Sequence, residues 1–213
     1  SAGLTTFKLG ADGNFDVLAW KSAERPEIYV SAAIHGDEPA TSLGLIEWAE
    51  ENVGFLARTP AMFIPCFNPW GLTENARRNS KGEDLNRCFG DDTHPLMKSW
   101  YGFLADFHFK IAISLHEDYD AHGIYLYELG IPGENPGQAC LQACEQIIPR
   151  EHDLEIEGRE SDNALIQMLD GFDDLVADMK KLEGGLPETI YLRLNHSEHT
   201  FTFETPSELS LYD

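Results

Sequence analysis

Over residues 27–34 (EIYVSAAI) the apolar positions run together and are rich in β-branched side chains, which predicts a buried strand. Gly36 breaks the run, and Pro39 opens a helical spacing as a first-turn proline does. That helix is predicted over 39–53, with Leu45, Ile46, Ala49 and Val53 on one face and Glu47, Glu50 and Glu51 toward water. Gly54 is expected to close it. A second apolar run at 61–67 (AMFIPCF) predicts another buried strand, with Pro65 marking its end. Strand, helix and strand in this order argue for a parallel α/β sheet.

The remaining pattern fills in the chain. Residues 1–25 read as a turn-rich lead, and 68–90 as a long polar loop of the kind that usually carries function. Helices are predicted over 96–107 and 137–148, and strands over 111–115, 124–129 and 199–203. Between 165 and 179 the apolar residues Leu165, Met168, Leu169, Phe172, Leu175, Val176 and Met179 keep a helical spacing, which Gly171 can split in two. No repeat, linker or low-complexity tract interrupts the order, so one domain over 1–213 is expected.

Composition narrows the function. A hydrophobic fraction of 42% supports a packed core, and 37 acids against 15 bases leave a net charge of −22. That field repels nucleic acid and anionic membranes, so neither is expected as a partner. A small anionic substrate stays possible because Arg77, Arg78 and Arg87 fall in one short segment. Cys66, Cys88, Cys140 and Cys144 form no C-x-x-C pair and no secreted-type framework, and no apolar run is long enough to span a membrane. A cytoplasmic protein with reduced thiols is the expectation.

Chemistry gathers at predicted strand ends. His35 and Glu38 sit in the HGDE turn after the first buried strand, His116 ends the strand at 111–115, and Glu204 ends the strand at 199–203. The carboxyl ends of strands are where open α/β sheets bind ligands. His35, Glu38 and His116 make a His₂Glu set, the catalytic zinc pattern that leaves one coordination position for water. Glu204 is then a spare carboxylate placed to take a proton. In the long loop, Arg77 or Arg78 can stabilise an oxyanion, and the adjacent Asn86 and Arg87 form a fork suited to a carboxylate. His196 and His199, close before Glu204, read as strand-edge polar residues rather than a second metal site.

Four ordered motifs, HGDE, NPWG…RRNSKGEDLNR, SLHED and TFETPSE, resemble the zinc carboxypeptidase family typified by carboxypeptidase A. The loop form is similar to the murein-peptide amidase branch, with the succinylglutamate desuccinylase and aspartoacylase group next. The resemblance implies an α/β/α sandwich around a mostly parallel, mixed sheet. It implies Zn²⁺ held by His35, Glu38 and His116, with Glu204 as general base. It also implies Arg77, or else Arg78, as the oxyanion arginine, and Asn86 with Arg87 as the grip on a substrate's terminal carboxylate.

The expected activity is therefore metal-assisted hydrolysis of an amide in a small peptide with a free C-terminal carboxylate. An N-acyl amino acid amidohydrolase of the desuccinylase type is the alternative within enzymes, and a non-catalytic metal-stabilised binding module the alternative outside them. The sequence departs from the family in three respects. Only Tyr191 lies in the window of the family's mobile tyrosine, too close to Glu204 to be given that role. Cys88 follows DLNR where asparagine is common, and the chain is short, as trimmed specificity loops would make it.

Overall fold

The structure, a computed structural model, describes residues 4–168, 172–183 and 185–207. The chain begins with a hairpin, β1 (Thr5–Asp12) and β2 (Phe15–Lys21), and continues through β3 (Ile28–Ala32), α1 (Pro39–Glu51), α2 (Val53–Leu56) and β4 (Ala61–Ile64). The long loop follows, holding α3 (Pro69–Glu74) and a 3₁₀ turn (Leu85–Arg87). Next come α4 (Pro95–Leu104), β5 (Phe109–Asp118), β6 (Tyr125–Leu129) and α5 (Pro136–Cys144). A small hairpin of β7 (Glu155–Ile156) and β8 (Arg159–Glu160) leads to β9 (Leu165–Gln167), α6 (Phe172–Glu183), α7 (Glu188–Asn195) and β10 (Ser197–Pro206).

Eight strands form one sheet in the order β1-β2-β4-β3-β5-β10-β6-β9. The centre, β4 to β10, is parallel, while β1, β2 and the β10–β6 pairing are antiparallel. Alternation along β3 and β4 divides the core. Tyr29, Met62 and Ile64 face α4 and α7 with Trp100 and Ile190, and Phe63 and Ala61 face α1 and α2 with Leu45 and Leu56. Leu141 of α5 packs on β6 and β9 through Leu126 and Leu165. Helices on both faces of a mixed sheet make the predicted α/β/α sandwich. No helix among the described residues is long and apolar enough to cross a membrane.

Several sequence expectations change. The lead is the β1–β2 hairpin, turning at Gly13 with φ 57°, and its buried Leu9, Val17 and Ala19 alternate as strand positions should. On β1 a register shift between Lys8 and Gly10 interrupts the alternation, which hides that strand in the sequence. The first helix stops at Glu51, where the Asn52 amide bonds the Trp48 carbonyl; Gly54 lies inside α2, and Val53 is exposed rather than on the buried face. The 165–179 segment is not helical throughout. Leu165 and Ile166 pair with Leu126 and Tyr127 as strand β9, because burial at a sheet edge suits these residues as well as a helix face does. Leu169 and Gly171 of that expectation lie outside the described residues. The strands bearing His116 and Glu204 run two residues past each of them.

Candidate metal centre and substrate pocket

β3 delivers the chain to Ala33, which takes φ 47°, and the HGDE turn follows. Gly36 is forced there by close approach. A Cβ at Gly36 would lie 2.0 Å from the backbone carbon of Gly71 and 2.3 Å from the Leu72 nitrogen. Gly71 is equally confined, by Asn68 and the Ala76 carbonyl. The glycines of HGDE and NPWG therefore meet backbone to backbone, and the Gly36 amide donates to the Ala76 carbonyl at 3.1 Å. Asn68 caps α3 by accepting from the Gly71 amide and donates its own amide to the Arg77 carbonyl. The two motifs lock together, and Arg77 is set beside His35.

His35, Glu38 and His116 are all buried, and one ligand atom from each lies within 4.8 Å of the others. Both rings turn the same nitrogen inward: Nδ1 of His35 is 2.6 Å from Glu38 Oε1, and Nδ1 of His116 is 2.9 Å from Glu38 Oε2. Behind the site His116 Nε2 is 3.2 Å from Ser114 Oγ, and His35 Nε2 lies 3.3 Å from Asp84 Oδ1 without a well-directed hydrogen bond. Glu38 Oε2 is buried without a well-directed hydrogen bond. Two imidazole nitrogens and a carboxylate that converge in this way are a donor set one divalent cation satisfies. Among the described residues no other His, Cys, Asp or Glu group of three converges so. His196 instead sits among Trp100 and Tyr191 with Nδ1 at the Phe107 carbonyl, and His199 pairs with Glu134.

Charge is tuned around these atoms. Burial works against the Glu38 carboxylate, but His116 and His35 outweigh it and bring its pKa down to about 2. Burial likewise opposes an imidazolium at His116, and the carboxylates of Glu38 and Glu204 push it up to about 9. Asp84 is held well below the usual carboxylate range, since His35, Arg77 and Arg87 overcome its burial. Glu204 moves the other way. Burial, with the nearby carboxylates Glu38, Asp118 and Glu157 adding to it against His116, pushes it up to about 7.

A pocket of about 480 Å³ opens over these residues and takes in His35, Glu38, His116, Glu204, Arg77, Asn86 and Arg87 together. Every residue singled out for the site by the sequence, apart from Arg78, lines it. Both arginines are exposed, but they point differently: Arg77 places Nη1 3.2 Å from His35 Nδ1, is steadied by Asp84 and lines the pocket, whereas Arg78 bonds the Gly82 carbonyl outside it. Asn86 Oδ1 accepts from the Glu188 amide at 2.9 Å, which leaves the amide nitrogen of Asn86 as a donor for an anion. Glu117, the other carboxylate beside His116, accepts from the Ala40 amide at 2.6 Å and caps α1. Tyr191 stacks on Tyr101 at 4.8 Å and does not line the pocket. Cys88 bonds the Asp84 carbonyl, and burial pushes its thiol up to about 11.

Sequence reasoning missed several residues. Asp84 stood inside a recognised motif without a role, yet it joins His35, Arg77 and the 3₁₀ turn, whose Asn86 amide it accepts. Tyr125, Tyr127, Glu157 and Arg159 also line the pocket. Glu157 and Gly158, with φ 49° and 75°, form the turn of the β7–β8 hairpin, and the Tyr127 hydroxyl holds Glu157 at 2.7 Å. Nothing local in the sequence marks that hairpin as part of a pocket wall.

Residues 24–117 match the succinylglutamate desuccinylase/aspartoacylase catalytic domain family. No curated protein sequence matches the chain. Among solved structures, a Shewanella amazonensis SB2B protein assigned to the metallopeptidases superposes with a TM-score of 0.80 at 21% identity, covering 99% of this chain and 81% of that one. Carboxypeptidase A from Helicoverpa armigera gives 0.65 at 13% identity over 97% and 60% of the two chains. Murein-tripeptide amidase MpaA from Escherichia coli O157 gives 0.60 at 16% identity over 96% and 84%. The chain has the carboxypeptidase-like fold, and its first half carries the match to a hydrolase catalytic domain.

Proposed function

From this fold and the matched hydrolase segment, we propose a zinc-dependent metallocarboxypeptidase that hydrolyses the amide bond next to a free C-terminal carboxylate. The observation that carries this reading is one pocket joining the His35–Glu38–His116 donor set, Glu204, Arg77 and the Asn86–Arg87 pair. His35, Glu38 and His116 would hold the zinc, each histidine through Nδ1. Zinc supplies Lewis acidity and lowers the pKa of a water at the site.

The chain's own residues supply the rest. Arg87 and the Asn86 amide nitrogen grip the terminal carboxylate and fix the scissile carbonyl in place. Glu204 takes the proton of the attacking water and gives it to the departing amine, a double role helped by burial, which favours the protonated carboxyl. The Arg77 guanidinium donates to the oxyanion as the carbonyl becomes tetrahedral. Its anchoring on Asp84 means that little reorganisation is needed at that moment.

A second reading, an N-acyl amino acid amidohydrolase, is favoured by the family matched over 24–117 and by the β7–β8 hairpin, which brings Glu157 and Arg159 into the pocket wall. Both readings use the same chemistry and differ in the acyl side. We place the protein in the cytoplasm as one catalytic domain, on the strength of four free cysteines and a single main sheet. The test is turnover of short peptides against N-succinyl, N-acetyl and other N-acyl amino acids by zinc-loaded protein. Cleavage confined to acyl amino acids would replace the peptidase reading. Cleavage of neither class would reject both.

A further inference from the structure

Glu188 is fully buried, is bonded by hydroxyls and by no lysine or arginine among the described residues, and lies outside the pocket lining, yet it sits one hydroxyl away from a candidate metal-site histidine. Its Oε2 accepts from Ser114 Oγ at 2.9 Å and from Ser31 Oγ at 2.7 Å, and its Oε1 accepts from the Tyr29 hydroxyl. Trp100 Nε1 donates in turn to that hydroxyl at 3.3 Å. Ser114 and His116 stand two apart on β5 and so share a face, with Ser114 Oγ 3.2 Å from His116 Nε2. We infer that Glu188 is a positioning residue for His116, acting through the hydroxyl of Ser114. The inference rests on the proposed metal site.

The direction of the hydrogen bonds carries the argument. A histidine that offers Nδ1 as a ligand must keep its proton on Nε2, and that N–H needs an acceptor. A serine hydroxyl is both donor and acceptor, so on its own Ser114 could equally donate to Nε2 and favour the tautomer whose Nδ1 carries the proton. Glu188 removes that freedom. By accepting the Ser114 proton it turns the serine lone pair toward His116, so the Nε2 proton is the one retained and Nδ1, facing Glu38, is the nitrogen that gives up its proton to a metal. Tyr29 and Ser31 keep the carboxyl from turning away. The backbone amide of Glu188 also holds Asn86 Oδ1, so the first turn of α7 orients both the metal side and the carboxylate side of the pocket.

The test is zinc affinity of the full chain, measured by competition with a chromophoric chelator, with thermal melting of the metal-free protein alongside. Ser114→Ala and Glu188→Gln should each bind zinc about 10–100-fold more weakly. The double variant should be no weaker than the worse single one, since both changes cut the same chain. Ser22→Ala, whose hydroxyl bonds the Thr59 and Ala61 carbonyls and touches neither Glu188 nor Ser114, should stay within about threefold of wild type. Wild-type affinity in Ser114→Ala overturns the inference, and that variant decides alone if Glu188→Gln does not fold. A loss in Glu188→Gln without one in Ser114→Ala also overturns it, because Glu188 would then act through the fold. Absence of zinc binding by wild-type protein would instead remove the metal site itself, and the inference with it.

Discussion

Glu204 on β10 and His116 on β5 are directly paired across two parallel strands, and both open into the same pocket. The proposed base and one proposed ligand are thus fixed relative to each other by a backbone ladder rather than by flexible loops. Their charges are coupled as well: each shifts the other toward its ionised form.

Replacing Glu204 with glutamine should leave zinc content intact and lower turnover about 10²–10⁴-fold, the usual loss for a positioned base. The same variant should be more stable than wild type when metal is absent. The folded pKa of Glu204, about 7, lies above its unfolded value of 4.5, so the folded state binds the proton more tightly and stability falls as pH rises between them. The penalty is complete above about 7 and gone below 4.5, which puts the gain at pH 8 on the order of 1–3 kcal/mol. Paired urea melts at pH 8 and pH 4 measure it; equal stability at both would show that Glu204 is not buried as described.

Zinc binding should release a proton from His116. In the metal-free protein its pKa is about 9 and that of Glu38 about 2, so at pH 7 the imidazole is charged and the carboxylate already ionised. Affinity should therefore climb from pH 6 toward pH 9 at close to tenfold per pH unit. Calorimetry in buffers of different ionisation enthalpy counts the proton. A flat pH profile would mean that His116 is not a ligand.

Arg77→Met should lower kcat about 10²–10³-fold, the scale of losing one oxyanion donor. Arg78→Met should change it less than threefold, since that side chain is exposed and bonds the Gly82 carbonyl away from the pocket. Equal losses in the two variants would undo the assignment.

Arg87→Lys should raise KM for free-acid substrates while zinc content is unchanged, because lysine cannot reproduce the two parallel bonds of a guanidinium. Amidated peptides should be cleaved at least about 10²-fold less well than free acids by the wild-type protein, the loss expected when a charge-assisted grip is removed. Comparable cleavage of both would rule out the carboxylate grip.

Gly36→Ala tests the junction of the two motifs. Its Cβ would collide with backbone atoms of Gly71 and Leu72, which cannot swing aside as a side chain can. A loss of about 1–3 kcal/mol or more is expected, with weaker zinc binding because His35 is the adjacent residue. An unperturbed melt would show that the two turns have room to separate.

What the sequence determined by itself was whatever is local and periodic. The buried strand before His35, the proline-opened helix after it and the strands bearing His116 and Glu204 follow from runs of side chains within a few residues. The spacing of HGDE and DLNR likewise marks candidate donors, because the chemistry of those side chains does not depend on neighbours far away. Tertiary structure decided what depends on contacts between distant segments. A Leu-Ile pair at 165–166 suits a helix face or a sheet edge, and only pairing with β6 selects the strand. Arg77 and Arg78 are chemically equal until Asp84 and His35 engage one of them. Glu188 lies 74 residues from Ser114 and 102 from Asn86, so no window of sequence contains the chain that ties it to His116. Its hydrogen bonds exist only once the sheet and α7 have packed, for a buried carboxyl finds its partners by folding and not by neighbourhood in the chain.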